Sequence, residues 1–220
     1  MTLVTAQMTI SLDGYYAGPR ATGIEPHDVA AWMQSPEAHG FMRITQWIHG
    51  ALAWRERHGL DGGTHNTNSE IIEETFDATG AYVIGRRMAD GGEIGWGDEP
   101  PFHAPVFVVT NRPRPTLVKQ GGTSFTYVTD GIASAIDQAR RAAGSRNVAI
   151  GGGGNLLNAA LSAGLVDELE LHVAPVLLGA GMRLFEPIDA SRPAGNPIEL
   201  TPTRVVHADD VTHIRYRART

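Results

Sequence analysis

The chain has no cysteine. That absence removes disulfides, thiolate nucleophiles and cysteine-held zinc or iron–sulfur sites. Positive charge is also scarce: 18 Lys and Arg stand against 24 Asp and Glu, a formal net charge of -6. A broad nucleic-acid-binding face needs clustered Lys and Arg to meet phosphates, so no nucleic-acid partner is expected. A small basic pocket for a phosphate-bearing cofactor stays compatible with this balance. Long apolar runs are missing too. No stretch approaches the roughly 20 apolar residues that span a bilayer. Met1–Ile10 lacks the basic start and apolar run of a signal peptide, so the expected location is cytoplasmic, with no membrane partner. The nine histidines show neither metal-ligand spacing nor His-Glu-x-x-His, and no metal site is expected. His103, His172 and His213 read as structural or solvated.

What is present is an ordinary globular composition, 42% apolar and 19% charged over 220 residues. One α/β domain over 1–220 is the expectation, with enough chain for a sizeable core. Leu3–Ile10 reads as a first strand, broken by Ser11-Leu12-Asp13-Gly14. The stretch from Pro36 to His58 is mixed and helical in part. Asn68 or Ser69 is placed to cap a helix through Ile71, Ile72, Thr75 and Phe76, ended by Gly80. Short apolar runs follow at Ala81–Ile84, Val106–Val109, Phe125–Val128 and Asn147–Ile150. Asp130 is placed to cap a helix with Ile132, Ala135, Ile136 and Ala139 on one face. Strands alternating with helices predict a mostly parallel sheet covered on both faces. Val205–His207 and Thr212–Tyr216, joined by Ala208-Asp209-Asp210, predict an antiparallel hairpin at one edge.

Three strand ends carry candidate chemistry. Gly151-Gly152-Gly153-Gly154-Asn155 follows a buried strand and opens a helix. Glycine lets the backbone approach an anion, and a helix N-terminus offers free N–H groups. A tight strand-to-helix turn is the plainer alternative, though one glycine would make it. The run misses the common dinucleotide fingerprint, whose third glycine would fall on Leu156, and no lysine follows. Gly85-Arg86-Arg87 also follows a strand, where parallel sheets build ligand sites; a solvated charge pair is its alternative. Thr110-Asn111-Arg112 offers a hydroxyl, an amide and a guanidinium, suited to a 2′-phosphate. Asp13 is the best polar candidate near a substrate, against the alternative of a turn aspartate bonding its own backbone.

The order of these motifs carries a resemblance. Strand-Ser-Leu-Asp-Gly, strand-Gly-Arg, strand-Thr-Asn-Arg-Pro and strand-Gly-Gly-Gly-Gly-Asn-helix are followed by Val166-Asp167-Glu168-Leu169 through Pro175-Val176-Leu177-Leu178-Gly179-Ala180-Gly181. The chain resembles the dihydrofolate reductase-like superfamily. Within it, the match is to the reductase domain at the C-terminal end of the bifunctional riboflavin-biosynthesis deaminase-reductase, in its stand-alone bacterial form. The resemblance implies a three-layer α/β fold: a mixed, mostly parallel eight-stranded sheet with helices on both faces and a C-terminal antiparallel hairpin. It implies NADPH as hydride donor, and often a homodimer. Under it, Gly85, Arg86 and Arg87 would meet the cofactor phosphates. Thr110, Asn111 and Arg112 would lie at the adenosine end, and Gly151, Gly152, Gly153, Gly154, Asn155 and Leu156 would hold the pyrophosphate. Ala6 and Gln7 would flank the nicotinamide, and Asp13 would face the substrate and assist protonation. The implied activity is hydride transfer to a C=N or C=O group of a small heterocycle, either a riboflavin-precursor aminouracil phosphate or a pterin-like compound. A flavin-binding oxidoreductase and a non-catalytic NADPH-binding protein are the alternatives. The riboflavin-pathway enzymes carry Gly-Thr-Val and Asp-Asp-Pro after the second strand, where this chain has Gly85-Arg86-Arg87-Met88-Ala89-Asp90. No carboxylate between Asp28 and His58 matches the one that folate-binding members carry. The segment around 36–79 reads as a substrate-side insertion.

Overall fold

The computed structural model describes residues 2–25, 28–185 and 197–219. Its centre is a nine-stranded sheet in the order β10-β11-β8-β1-β7-β3-β4-β6-β5. The middle strands are β1 (Val4–Ser11), β7 (Asn147–Ile150), β3 (Thr79–Gly85), β4 (Pro105–Val109) and β6 (Ser124–Val128), with β8 (Glu168–Ala174) on the other side of β1. These six run parallel to one another. The hairpin of β10 (Glu199–Ala208) and β11 (Val211–Arg219) adds antiparallel to β8. The ninth strand is β5 (Leu117–Val118), a two-residue antiparallel edge, too short to leave a periodic signal.

Alternation along the strands sorts the two faces. Val4 and Ala6 of β1, Ala81 and Val83 of β3, and Val148 and Ile150 of β7 pack in one buried cluster with α7 (Ile132–Ala143) and α8 (Gly154–Ser162). Tyr82 and Ile84, the alternate residues of β3, pack in another with Ala89 of α6 (Arg86–Gly95) and with Phe102. Helices therefore cover both faces. The dihydrofolate reductase-like three-layer arrangement expected from the motifs is the one observed.

Several local assignments change. Helix α5 (Thr67–Ala78) is capped by Asn66, whose side chain accepts from the Ser69 amide at 3.0 Å. Asn68 is committed to distant partners, and Gly80 lies inside β3. Helix α7 begins at Gly131, φ 92°, without a side-chain cap. Asp130 instead accepts from the hydroxyls of Thr129 and Ser134, at 3.2 and 3.4 Å. The mixed stretch resolves into three short helices, α2 (Pro36–Ile44), α3 (Gln46–His49) and α4 (Leu52–Arg57), preceded by the five-residue α1 (Val29–Met33).

A small second sheet shapes the rim of the main one. Strand β2 (Tyr15–Ala17) pairs antiparallel with β9 (Met182–Arg183). Helix α2 lies directly on β2. A Cβ on Gly18 would fall 1.8 Å from the Pro36 carbonyl oxygen, and one on Gly40 would fall 2.3 Å from the Gly18 nitrogen.

Candidate functional site

The C-terminal edge of the parallel strands gathers the predicted motifs. β7 ends at Ile150, which is in register with Ala6 of β1; β1 continues beside β8 to Ser11, opposite Ala174. β1 thus outruns β7, and a notch opens beside it where the glycine run begins. Ligands of open α/β sheets bind in such crevices at the carboxyl ends of strands.

The glycine run fills the turn from β7 into α8. Gly151 donates its amide to the Val83 carbonyl at 3.0 Å. Gly152 has φ 126°, a conformation that L side chains rarely adopt. Gly153 caps α8 with no side-chain bond, and Gly154 is the first helical residue. The leading amides of a helix have no intrahelical acceptor. Here no side chain supplies one from the cap position; the Tyr16 hydroxyl meets the Gly154 amide, and the Asn155 amide stays without a partner in the helix at the positive dipole end. Asn155 is exposed in the first turn, and Leu156 is packed against the core. Gly154 also makes room for Tyr16: a Cβ there would sit 2.7 Å from the ring.

The arginines of the neighbouring strand end are already paired. Arg86 binds Asp90 at 2.6 Å. Arg87 donates to both oxygens of Glu37, at 2.6 and 2.8 Å. Glu37 also accepts from the Ala21 amide at 2.7 Å. Burial pushes the Glu37 carboxyl up, and these donors outweigh it, leaving it below the usual range. Thr110 turns its hydroxyl to the Arg112 amide at 3.0 Å. Asn111 and Arg112 are exposed beyond β4, and Arg112 forms no ion pair among the described residues.

Asp13 and the most specific motif stretch meet each other. The Asp13 carboxylate accepts from the Ser11 hydroxyl at 2.6 Å, the Gly179 amide at 2.7 Å and the Leu178 amide at 3.1 Å. The Ser11 hydroxyl, then those amides, hold its pKa at about 2. Leu12 donates to Val176 and Leu184 to Gly14 beside it. The Ser-Leu-Asp-Gly turn and the Pro-x-Leu-Leu-Gly-x-Gly loop form one clamp across the end of the sheet. Ala6 is buried in β1. Gln7 sends its side chain to Thr75 at 2.8 Å and Glu170 at 3.1 Å, under α5 rather than toward the glycine run.

Sequence reasoning missed Tyr16 and Glu37. Burial raises the Tyr16 pKa, so the phenol is protonated near neutrality; Arg20, Arg87 and Glu37 form its charged surroundings. The Ser35-Pro36-Glu37 start of α2, an N-cap followed by proline and an acid, was the available signal for Glu37.

Comparison with known proteins identifies the family and the fold. The model of the RibD C-terminal domain matches residues 2–214. The chain belongs to the RibD C-terminal domain family. No curated protein sequence matches it. Among solved structures, one from Shewanella sp. PV-4, provisionally named as a riboflavin biosynthesis protein, is 20% identical, with a TM-score of 0.66 over the whole of both chains. The Thermotoga maritima diaminohydroxyphosphoribosylaminopyrimidine deaminase/5-amino-6-(5-phosphoribosylamino)uracil reductase is 13% identical with a TM-score of 0.58; the match covers 99% of this chain and 57% of that one. Enterococcus faecalis dihydrofolate reductase, complexed with NADP(H), is 13% identical with a TM-score of 0.51, covering 99% of this chain and 97% of that one. At these identities the likeness is one of fold.

Proposed function

We propose that this RibD-family chain is an NADPH-dependent reductase of a small heterocycle bearing a C=N or C=O group. The observation that carries the proposal is the glycine run at the notch beside β1, where the start of α8 presents the Asn155 amide with no partner in the helix. When bound, NADPH supplies the hydride. The residues present fit such a group. Gly151–Asn155 provide the anion cradle, with Gly153 open where a Cβ would meet nothing, and Arg112 is the exposed cation at the next strand end but one. Arg86 and Arg87 reach a phosphate only by sharing or leaving Asp90 and Glu37.

Asp13 serves this site by position. A carboxyl with a pKa of about 2 is ionised near neutrality and has no proton to give. Through the Leu178 and Gly179 amides it ties down the loop from Pro175 to Gly181, and we place proton delivery with water. In the family resemblance the substrate is a phosphoribosylaminouracil or a pterin. The Arg87–Glu37 pair at the rim favours neither.

The test is a thermal-shift series with NADPH, NADH and FMN, followed by NADPH oxidation with aminouracils, pterins and cyclic imines. A ligand that binds only the native state raises Tm by mass action. NADPH should give the largest shift, and Arg112→Ala should cut NADPH affinity about tenfold while leaving NADH unchanged. A shift with FMN and none with NADPH would overturn the proposal.

A further inference from the structure

At the opposite end of the parallel strands, between the sheet and the last turns of α5, lies a cavity of about 240 Å³. Thr79 and Asn147, which open β3 and β7, line it with Leu3 and Thr5, so most of it lies away from the edge that holds the glycine run, although it reaches Ala6 and Gln7 of β1. Its floor carries Gln7, Glu168 and Glu170; Glu74, Thr75 and Arg215 wall it.

The lining has unspent acceptor capacity. Glu170 is 4% exposed. Its Oε2 accepts from Gln7 at 3.1 Å and from Nε and Nη2 of Arg215 at 3.3 and 3.1 Å. Its Oε1 has no partner among the described residues. Glu168 lies two residues earlier on the same face and makes no ion pair among them either, although the exposed Arg217 is its cross-strand neighbour. Glu74 is spent differently: it holds Arg215 at 2.9 Å and Arg204 from the rim. Three carboxylates and one guanidinium line the cavity. The free valence is therefore for donors carrying positive charge.

An anion would face Glu168 and Glu170, and an apolar group would strand their oxygens. No group of acidic or histidine side chains among the described residues is arranged to hold a metal ion. The volume is below the roughly 300 Å³ at which drug-sized pockets begin. We propose that this cavity binds a small organic cation, a guanidinium compound or a short diamine, through Glu168 and the free Oε1 of Glu170, separately from the dinucleotide edge. Planar N–H donors match carboxylate oxygens in pairs, and an ammonium at each end of a short chain spans two carboxylates.

The experiment is calorimetric titration of the full chain with methylguanidinium chloride and with putrescine, each with and without NADPH, beside sodium acetate and magnesium chloride. One equivalent of either organic cation should bind saturably, with the same affinity when NADPH is present. Glu168→Gln, which breaks no ion pair, should weaken it about tenfold while the unliganded Tm holds. Glu170→Gln should weaken it as well, with some loss of Tm because Arg215 loses a partner. Absence of binding by both cations, unchanged binding in Glu168→Gln, binding of acetate or magnesium instead, or displacement by NADPH would each overturn the proposal.

Discussion

Gly152 holds a backbone conformation that an alanine adopts only with strain. At φ 126° the added Cβ would lie 3.5 Å from the Met88 sulfur, so space is not the obstacle and conformation is. The strain is on the order of 1–3 kcal/mol, and it falls on the turn that leads into the start of α8. Gly152→Ala should therefore weaken NADPH binding by about tenfold or more, measured by titration, with a smaller loss of Tm as the turn relaxes. Asp13→Asn is a second residue-scale test. The amide keeps the shape and loses the charge that Ser11, Leu178 and Gly179 bind. If Asp13 is a clamp, NADPH turnover should drop mainly through KM, with the pH profile of kcat unmoved. A kcat profile that loses a titrating limb would return Asp13 to proton transfer. The folded carboxyl, near 2, lies below its ordinary 3.8. Its contribution to stability is thus present above pH 4 and lost as pH falls through about 2. At this scale the sequence was legible for residue types and strand ends. It was silent on partners: nothing in Gly85-Arg86-Arg87 announces that both guanidiniums meet carboxylates, one of them on a helix fifty positions earlier.

Among elements, the helices between Val29 and Arg57 were the least legible, and packing explains why. They are short, interrupted by Gly50, and set by contacts with the sheet rather than by their own periodicity. Trp47 of α3 is the anchor. It is 5% exposed and lies against two buried imidazoles, with ring centroids 4.8 Å from His172 and 5.1 Å from His213. Ala51, Ile72 and Val211 complete the cluster, so one side chain ties α3 to α5 and to the hairpin. Trp47→Ala should cost about 3–5 kcal/mol, read as a lower midpoint in urea unfolding. The β-strands around it are held mainly by other contacts, and far-ultraviolet circular dichroism of the folded variant should change little. The caps failed for a related reason. Asn68 has the right chemistry for a cap, but Asp210 and His213 claim its amide, and Asn66 takes the role.

At the scale of the whole molecule, the sheet was readable because each central strand ends in glycine or a polar turn and is buried on both sides. The parallel order follows from helices inserted between strands, and the hairpin from its alternation. The edge strand β5 is too short to leave a local mark, and the β2–β9 pair and the polar cluster beneath α5 depend on long-range pairing. That cluster sets how the protein responds to acid. The Asn68 amide nitrogen donates to Asp210 at 3.0 Å, so its oxygen accepts from His213 Nε2 at 2.9 Å. His213 Nδ1 is then the acceptor for His172 Nδ1–H at 2.7 Å. Both rings are neutral, and burial drives both pKa values well below the ordinary 6.5. An unfolded chain binds protons at these positions below pH 6.5, whereas the folded chain does not. Stability therefore falls as pH drops through that value, by about 1.4 kcal/mol per pH unit for each histidine. Half-buried His49 and His58 are shifted the same way and add a smaller slope. Glu37, Glu74, Glu93 and Asp13, whose carboxyls are lowered, act only below 4.5 and leave the range from pH 6 to 5 to the imidazoles. Urea unfolding at pH 6.0, 5.5 and 5.0 should give a steep loss of ΔG for the native chain. His172→Asn, which keeps a donor for His213 and cannot titrate, should flatten that slope by about the share of one proton. An unchanged slope would mean that the pair already takes up a proton in the folded state, and that Trp47 covers a charged imidazole rather than a neutral one.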